Sequence, residues 1–268
     1  MAAAASADTT DAFGQGAHDV RFDWGPEGLA AVAPGARTVV IVDVLRFTTA
    51  ISVAMGRRAT VLPYVWAAGD AAAAHARRHG AELAGRRENG GWSLSPTDLL
   101  ALPDGTRLVL PSPNGSTLAF GAVDEAPDAL VLAGCLRNAR AVGGLAAARP
   151  GPVAVVAAGE RWHGDLGPVR PAVEDLVGAG AVLHHVVAGR TTGVTVSPEA
   201  RAATAAFADA RTDLGAWLAA TASGRELAAR GWADDVATAA VLDAEAVVPV
   251  LDGAAFTAVT PDGAGHLR

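Results

Sequence analysis

Asp43 and Arg46 stand at the end of the most apolar run in the chain, and their types suit chemistry on an anion. The run Val39 to Val42 is unbroken, Asp43 follows it, and Arg46 comes three residues later. A carboxylate at the end of a buried strand is costly to desolvate unless a cation meets it. Two interpretations are open: a site for a divalent cation or an anionic ligand, or a structural Asp43–Arg46 ion pair.

A second candidate site is the turn Asn114-Gly115-Ser116, which follows the predicted strand Arg107 to Pro111. Asn-Gly is typical of a type I′ hairpin turn. The next residues, Thr117 to Phe120, do not alternate as a returning strand should. That pattern favours a glycine turn into a helix, whose N-terminal N–H groups would hold an anion, most naturally a phosphate.

Polar clusters follow four predicted strands, beginning at Asp43, Asn114, Cys135 and Glu160. If the sheet is mostly parallel, the carboxyl ends of these strands meet at one edge, where ligands of open α/β sheets bind. We therefore expect these clusters to converge.

Four acidic residues are candidate magnesium ligands: Asp43, Glu160, Glu174 and Asp175. Mg²⁺ typically takes one or two carboxylates together with waters and substrate phosphate. Adjacent helical residues point about 100° apart, so only one of Glu174 and Asp175 is expected to face the site.

The elements that must position these residues alternate between strand and helix. Strands are predicted at 19–24 (an edge strand), 39–42, 60–65, 81–84, 107–111, 129–133, 152–157, 247–251 and 255–259. Helices are predicted at 47–56, 70–79 and 169–185. Two further helices are predicted, one that begins at Ser95 and Pro96 and one that ends near residue 148. Pro63 places its strand at an edge or a bulge, and Ser223 to Glu226 matches a capping box followed by a C′ glycine, Gly231.

These elements predict an α/β fold with a mostly parallel sheet, flanking helices and a helical C-terminal region. We expect a loose tail over residues 1–18 and a single domain over 19–260, in which 197–242 could form a helical subdomain. Nothing in the sequence decides the oligomeric state, and a homodimer stays open.

Composition excludes several classes of protein. The chain has 268 residues, a formal net charge of −7 and a half-hydrophobic composition, which allows a sizeable core but no nucleic-acid-binding surface. An anionic ligand would need a local arginine cluster. The chain contains no lysine, which excludes pyridoxal-phosphate and Walker-A chemistry. It has no basic leader and no apolar run of membrane length, so we predict a cytoplasmic protein without membrane partners.

Taken in order, these motifs resemble the 2-phosphosulfolactate phosphatase (ComB-like) family. Asp43 to Thr49 is similar to its D-V-L-R-A-[ST]-T, and Asn114-Gly115-Ser116 to its T-N-G-[ST]. Further matches are Ser95-Pro96 with N-S-P, Gly134 to Asn138 with G-[SC]-x-x-N, Ala158-Gly159 and Glu174-Asp175 with A-G…E-D, and Ser223 to Val236 with the C-terminal block.

The resemblance implies a magnesium-dependent phosphatase acting on a small anionic phosphorylated metabolite, 2-phosphosulfolactate, in coenzyme M synthesis. Arg46 and the Asn114–Ser116 turn would hold the phosphoryl oxygens, and Asp43 would bind Mg²⁺ or attack phosphorus. Glu160 and Asp175 would complete the metal site or position water. Thr48, Ser95 and Asn138 are the further substrate-binding candidates from the matching motifs.

Two departures from the family pattern lie in one loop. The family's G-E-R is Gly85-Arg86-Arg87 here, and Leu94 stands where an asparagine precedes Ser-Pro. We therefore expect the phosphate and metal chemistry to carry over more fully than the substrate. The alternatives are a phosphatase for another phosphorylated hydroxy acid and a non-catalytic homologue that binds phosphorylated metabolites.

Overall fold

A nine-stranded, mostly parallel sheet forms the centre of the protein. The computed structural model describes residues 12–65, 70–162, 167–190 and 193–259. In those ranges the strand order is β1-β7-β2-β6-β10-β11-β3-β5-β4, and a separate two-stranded ribbon pairs β8 with β9. The strands are β1 (Val20–Trp24), β2 (Thr38–Val42), β3 (Thr60–Val65), β4 (Glu82–Leu83), β5 (Arg107–Ser112), β6 (Leu130–Gly134), β7 (Val153–Ala157), β8 (Glu160–Arg161), β9 (Val169–Arg170), β10 (Val248–Asp252) and β11 (Ala255–Val259).

Helices connect the strands and cover the sheet. They are α1 (Gly25–Val32), α2 (Phe47–Gly56), α3 (Ala71–Arg78), α4 (Pro96–Leu99), α5 (Gly115–Glu125), α6 (Ala139–Ala148), α7 (Val173–Gly189), α8 (Pro198–Ala210), α9 (Leu214–Ala220), α10 (Ala222–Ala229) and α11 (Ala233–Ala239). None of these helices combines the length and the apolar composition that a membrane span requires.

Strand β2 is central because both of its faces are apolar. All five of its residues are buried, and it pairs in parallel with β7 on one side and β6 on the other. Val40 and Val42 pack in the core formed with α6 and α7, whereas Val39 and Ile41 pack in the core formed with α2 and α5. Each such side chain contributes about 1.5–3 kcal/mol of burial free energy. The end of β2 is therefore held firmly from both sides.

The sheet contains two parallel groups with a hairpin between them. β1, β7, β2 and β6 form one group, and β3, β5 and β4 form the other. Three antiparallel pairings separate the groups: β6 with β10, β10 with β11, and β11 with β3. The predicted mostly parallel α/β class is thus confirmed. The expectation that one parallel edge unites all the polar clusters is too simple, because β5 does not belong to the group of β2.

Helix α5 accounts for the approach of the two groups. It packs against β2 and also against β3 and β5. Its first residue, Gly115, lies against Phe47 and Asp43. The turn after β5 therefore reaches the end of β2 through helix packing.

Most predicted elements are confirmed, including the edge strand β1, the helix from Phe47 to Gly56, and the closing strands β10 and β11. Ser95 caps α4 by accepting a hydrogen bond from Asp98 N, with Pro96 at the first helical position. Gly231 follows α10 with φ of 79°, as a C′ glycine does.

Two local predictions are wrong. β3 lies inside the sheet, and Pro63 is tolerated there because β11 meets β3 at Val61, two residues earlier. The predicted capping box at Ser223 is displaced, because Thr221 is the cap and its Oγ1 accepts from Gly224 N at 3.0 Å.

Two boundaries also differ from the prediction. The helix expected from residue 169 begins at Val173, after the short strand β9, and helix α1 was not predicted. Packing begins before residue 19, since the buried Gln15 exchanges two hydrogen bonds with the backbone of Phe22.

Candidate functional site

Asp43 sits in a tight turn between β2 and α2. Its Oδ1 accepts a hydrogen bond from Phe47 N at 3.1 Å. Thr48 Oγ1 donates to the carbonyl oxygen of Asp43 at 2.8 Å and accepts from its N–H at 2.9 Å. Thr48 is fully buried and so holds the turn. Its predicted direct contact with phosphate stays a prediction.

Two further carboxylates from the start of α7 lie beside Asp43. Asp175 Oδ1 accepts from Val44 N at 2.7 Å, and its Oδ2 accepts from Gly159 N at 3.0 Å. Asp175 thereby ties the turn after β2 to the turn after β7. Glu174 is 3% exposed and makes no hydrogen bond or ion pair with any residue in the described ranges. Both members of the Glu-Asp pair are thus buried near Asp43, although one was expected to point away.

Burial raises the pKa of Asp43 to about 7, and the negative charges of Glu160 and Glu174 act in the same direction. The Phe47 N–H and the Arg46 guanidinium oppose this rise only partly. Burial and the charges of Asp43 and Glu174 also raise the pKa of Asp175 well above its usual range. Carboxylates that repel one another in a desolvated site favour a shared proton or a cation.

Asp43 opens into a cleft of about 510 Å³, here called the acid cleft. Glu160 lies on its wall, with Oε1 accepting from Asn114 Nδ2 at 3.1 Å and from Arg161 N at 2.7 Å. Arg161 Nε donates to Asn114 Oδ1 at 3.1 Å, which closes a three-residue network. The four guanidinium groups that line the acid cleft belong to Arg46, Arg161, Arg170 and Arg230.

Arg46 is not the structural partner of Asp43. Its Nη1 lies 2.7 Å from Oδ2 of Asp235, a fully buried residue of α11. The guanidinium carbon also lies 4.9 Å from the centre of the Trp232 ring. The Asp43–Arg46 ion pair that the sequence left open is therefore absent, and both residues face the acid cleft.

The Asn114-Gly115-Ser116 turn begins helix α5, so the hairpin alternative is excluded. A Cβ on Gly115 would lie 2.1 Å from Phe47 Cδ1 and 2.9 Å from Asp43 Oδ2. Glycine is thus required there by the approach of Asp43. The Gly115 N–H donates to Ser112 Oγ at 3.2 Å, and the buried Ser116 hydroxyl lies 3.5 Å from Leu110 O.

Ser95 and Asn138 have internal partners. Ser95 Oγ donates to Asp235 Oδ1. Asn138 Oδ1 accepts from Cys135 N at 2.8 Å and its Nδ2 donates to Ala133 O at 3.1 Å, which closes the turn after β6. Their contact with substrate stays a prediction. Burial raises the pKa of the Cys135 thiol, which disfavours a thiolate nucleophile.

Sequence reasoning missed the role of Asp235 and Trp232. Asp235 lies 189 residues from Arg46 in the chain, and no local spacing connects the two. The available signal was the position of both residues in the C-terminal motif block.

The oxygen donors around Asp43 fit a hard cation such as Mg²⁺. In the described part of the chain, no group of three or more Asp, Glu, His or Cys side chains is placed so that it could hold a metal ion by itself. Mg²⁺ needs only one or two carboxylates when water and substrate phosphate complete its shell. Asp43 and a neighbouring acid, either Glu160 on the wall of the cleft or the buried Glu174, can supply them.

Together, the α/β fold and an arginine-lined cleft that ends at a buried carboxylate define a protein built to bind a small anionic ligand. The family model described as 2-phosphosulpholactate phosphatase matches residues 26–254, nearly the whole chain. The chain therefore belongs to this family of phosphoric monoester hydrolases. A search of the curated proteins finds no match.

Proposed function

We propose that this protein is a magnesium-dependent phosphatase that hydrolyses a 2-phosphooxy carboxylate, with 2-phosphosulfolactate as the named candidate and 3-sulfolactate and phosphate as products. The observation that carries the proposal is Asp43, a buried carboxylate with a pKa raised to about 7, at the base of a cleft lined by four arginines. Four arginines against Glu160 and Glu226 on the walls suit a polyanion, and a desolvated acid at the base suits a cation.

In this proposal Asp43 is the first metal ligand, and one of the neighbouring acids, Glu160, Asp175 or Glu174, supplies a second carboxylate while water and substrate complete the shell. Asp175 already binds two backbone N–H groups, so its main contribution is to orient the turn that carries Asp43. Bound Mg²⁺ supplies a positive charge that stabilises the ionised carboxylates and the phosphoryl oxygens.

Other residues of the site bind the phosphoryl group and orient water. Arg46 uses the guanidinium edge that faces the acid cleft to bind phosphoryl oxygens, which favours the charge of the transition state. The N-terminus of α5, which begins beside the cleft residue Asn114, adds the positive end of its dipole. Asp43 serves as the metal ligand or as the nucleophile on phosphorus, and Glu160 is placed on the wall to orient water.

Phosphate release tests the proposal. Purified protein is incubated with 2-phosphosulfolactate, 2-phospholactate and phosphoglycolate, with Mg²⁺ or with EDTA. We expect release of phosphate that requires Mg²⁺ and is restored when Mg²⁺ is returned. Binding of these compounds without release under any metal condition would contradict the proposal and favour the non-catalytic alternative.

A further inference from the structure

Asp235 is the meeting point of two arginines that come from distant parts of the chain. Its Oδ2 accepts from Arg46 Nη1 at 2.7 Å and from Arg87 Nη1 at 3.3 Å. Its Oδ1 accepts from Ser95 Oγ and from Thr97 N at 3.4 Å. The carboxylate is fully buried, so both arginines are drawn to one fixed point.

Both arginines keep a side toward open space. The side chains of Arg46 and Arg87 are 16% and 23% exposed. Within the described ranges, Arg46 donates through Nη1 alone, so its Nε and Nη2 groups are open to a ligand.

The two arginines face two adjoining clefts. Arg46 and Arg230 line the acid cleft, and both also line a neighbouring cleft of about 250 Å³, here called the arginine cleft. The arginine cleft adds Arg86 and Arg87 from the loop after β4. Leu94 and Pro113 also form walls of both clefts, so the two clefts lie side by side.

The ring of Trp232 contacts three of these arginines from one side. The guanidinium carbons of Arg46, Arg87 and Arg230 lie 4.9, 5.8 and 5.5 Å from the centre of its ring. Asp98 holds Arg87 from the other side, with Oδ1 accepting from Nη2 at 3.0 Å. Asp235, Asp98 and Glu226 pair with these three arginines, so what the guanidinium groups direct into the clefts is a set of fixed N–H donors.

We propose that Asp235 is a positioning residue that fixes Arg46 and Arg87 as the two ends of one binding site, in which the phosphoryl group lies at Arg46 and a second acid group of the same ligand lies at Arg87. The inference rests on the proposed function for the identity of the phosphoryl end. What it adds is the place of the second acid group, the arginine cleft, and the residue that fixes both ends of the site.

Binding of two matched phosphonates tests the inference without turnover. 3-Phosphonopropionate carries a phosphonate and a carboxylate, and ethylphosphonate lacks the carboxylate. Calorimetric titration with Mg²⁺ present gives the Kd and the stoichiometry for each. We expect the wild-type protein to prefer 3-phosphonopropionate by about tenfold or more, the size of a charge-assisted contact.

Asp235→Asn should weaken the binding of both ligands and reduce this preference to about threefold or less, because both arginines lose their common anchor. Arg87→Gln should remove most of the preference and affect ethylphosphonate much less. Asp234→Asn is the matched control, since this exposed neighbour on the same helix lines neither cleft. It should leave both Kd values unchanged.

A purely structural role predicts a different result for Asp235→Asn: a lower melting temperature and a lower stoichiometry, with both Kd values unchanged. That result would overturn the proposal. If Asp235→Asn does not fold, an unchanged preference in folded Arg87→Gln would overturn it equally. A wild-type protein that shows the preference but releases no phosphate from 2-phosphooxy carboxylates would contradict the proposed hydrolysis and support the positioning role.

Discussion

Asp43 combines two properties that a bound cation reconciles. It lies in a turn that donates hydrogen bonds to its carboxylate and its carbonyl oxygen, and its carboxyl is desolvated beside other acids. Protonation or a metal ion can relieve the repulsion, and the two compete for the same oxygens. The pH dependence of activity should therefore depend on magnesium.

We expect kcat/KM to rise with pH through about 7 when Mg²⁺ is scarce, because the pKa of Asp43 is raised to about 7 and the metal binds the ionised form. At high Mg²⁺ the midpoint should move to lower pH. The measurement is a pH profile at two Mg²⁺ concentrations, corrected for ionisation of the substrate phosphate by ³¹P NMR. A midpoint that does not respond to Mg²⁺ would contradict Asp43 as a metal ligand.

At the scale of elements, the site depends on how closely α5 approaches the turn after β2. Gly115 is the contact point, since any Cβ there would overlap the Phe47 ring and approach Asp43. Phe47 is fully buried, and close-packed interiors leave little room for a ring to move.

Gly115→Ala should therefore reduce both the melting temperature and kcat, as Phe47 and Asp43 are displaced together. Overpacking of this kind costs about 1–3 kcal/mol. The matched control is Gly121→Ala in the same helix, where an added Cβ meets only the end of the Leu29 side chain at 3.0 Å. Thermal unfolding and kcat are measured on both variants. Equal, small effects in the two would contradict the role assigned to Gly115.

The loop from Gly85 to Leu94 is the element that departs from the family pattern, and it forms much of the arginine cleft. Arg86-Arg87 adds positive charge where the family carries Glu-Arg. We predict a preference for a more anionic or more extended acid group than 2-phosphosulfolactate offers. Comparison of kcat/KM over a panel of phosphorylated hydroxy acids checks this. By far the highest value for 2-phosphosulfolactate would show that the substrate has not shifted.

Local pattern was sufficient to predict most elements of this fold. β-Branched runs, Ser95 before Pro96 and glycines after helices each act within a few residues, so they can be read directly. The edge position predicted from Pro63 and the cap predicted at Ser223 were wrong for the same reason. The strand beside Pro63 and the competing cap Thr221 depend on neighbours that the local pattern does not contain.

The site was predictable only where it lies within single motifs. Asp43, Asn114 and Glu160 were recognisable as residues that follow strands. The partners of Arg46 were not, because Asp235 and Trp232 reach it through packing of α11 against α4. The antiparallel hairpin β10–β11 likewise reverses the sheet between β6 and β3, and no residue near Asn114 indicates this.

At the scale of the whole molecule, the buried acids set how stability depends on pH. The pKa values of Asp43 and Asp175 are raised in the folded protein, so the folded state binds more protons than the unfolded state above the unfolded pKa of about 4. The free energy of unfolding of the metal-free protein should therefore decrease as pH rises from about 4 through about 7.

The expected decrease is on the order of a few kcal/mol, and it should be smaller in Asp43→Asn. Saturating Mg²⁺ should offset it, because a ligand that binds only the folded state stabilises that state. Chemical denaturation of both proteins at several pH values, with EDTA or Mg²⁺, checks the prediction. Stability that increases from pH 4 to 7 in EDTA by the same amount in both proteins would contradict the raised pKa of Asp43.

We infer that Asp43 is a chemical group of the site and not a structural one, and a single substitution separates the two roles. Asp43→Asn keeps the size of the side chain and an oxygen for the Phe47 N–H, and Arg46 retains its partner Asp235. We measure kcat with Mg²⁺ and the melting temperature on the same sample. A chemical role for Asp43 predicts a loss in kcat on the order of 10²–10³ or more, with a melting temperature in EDTA at neutral pH equal to or above that of the wild type. An unstable variant whose folded fraction turns over at the wild-type rate would contradict it.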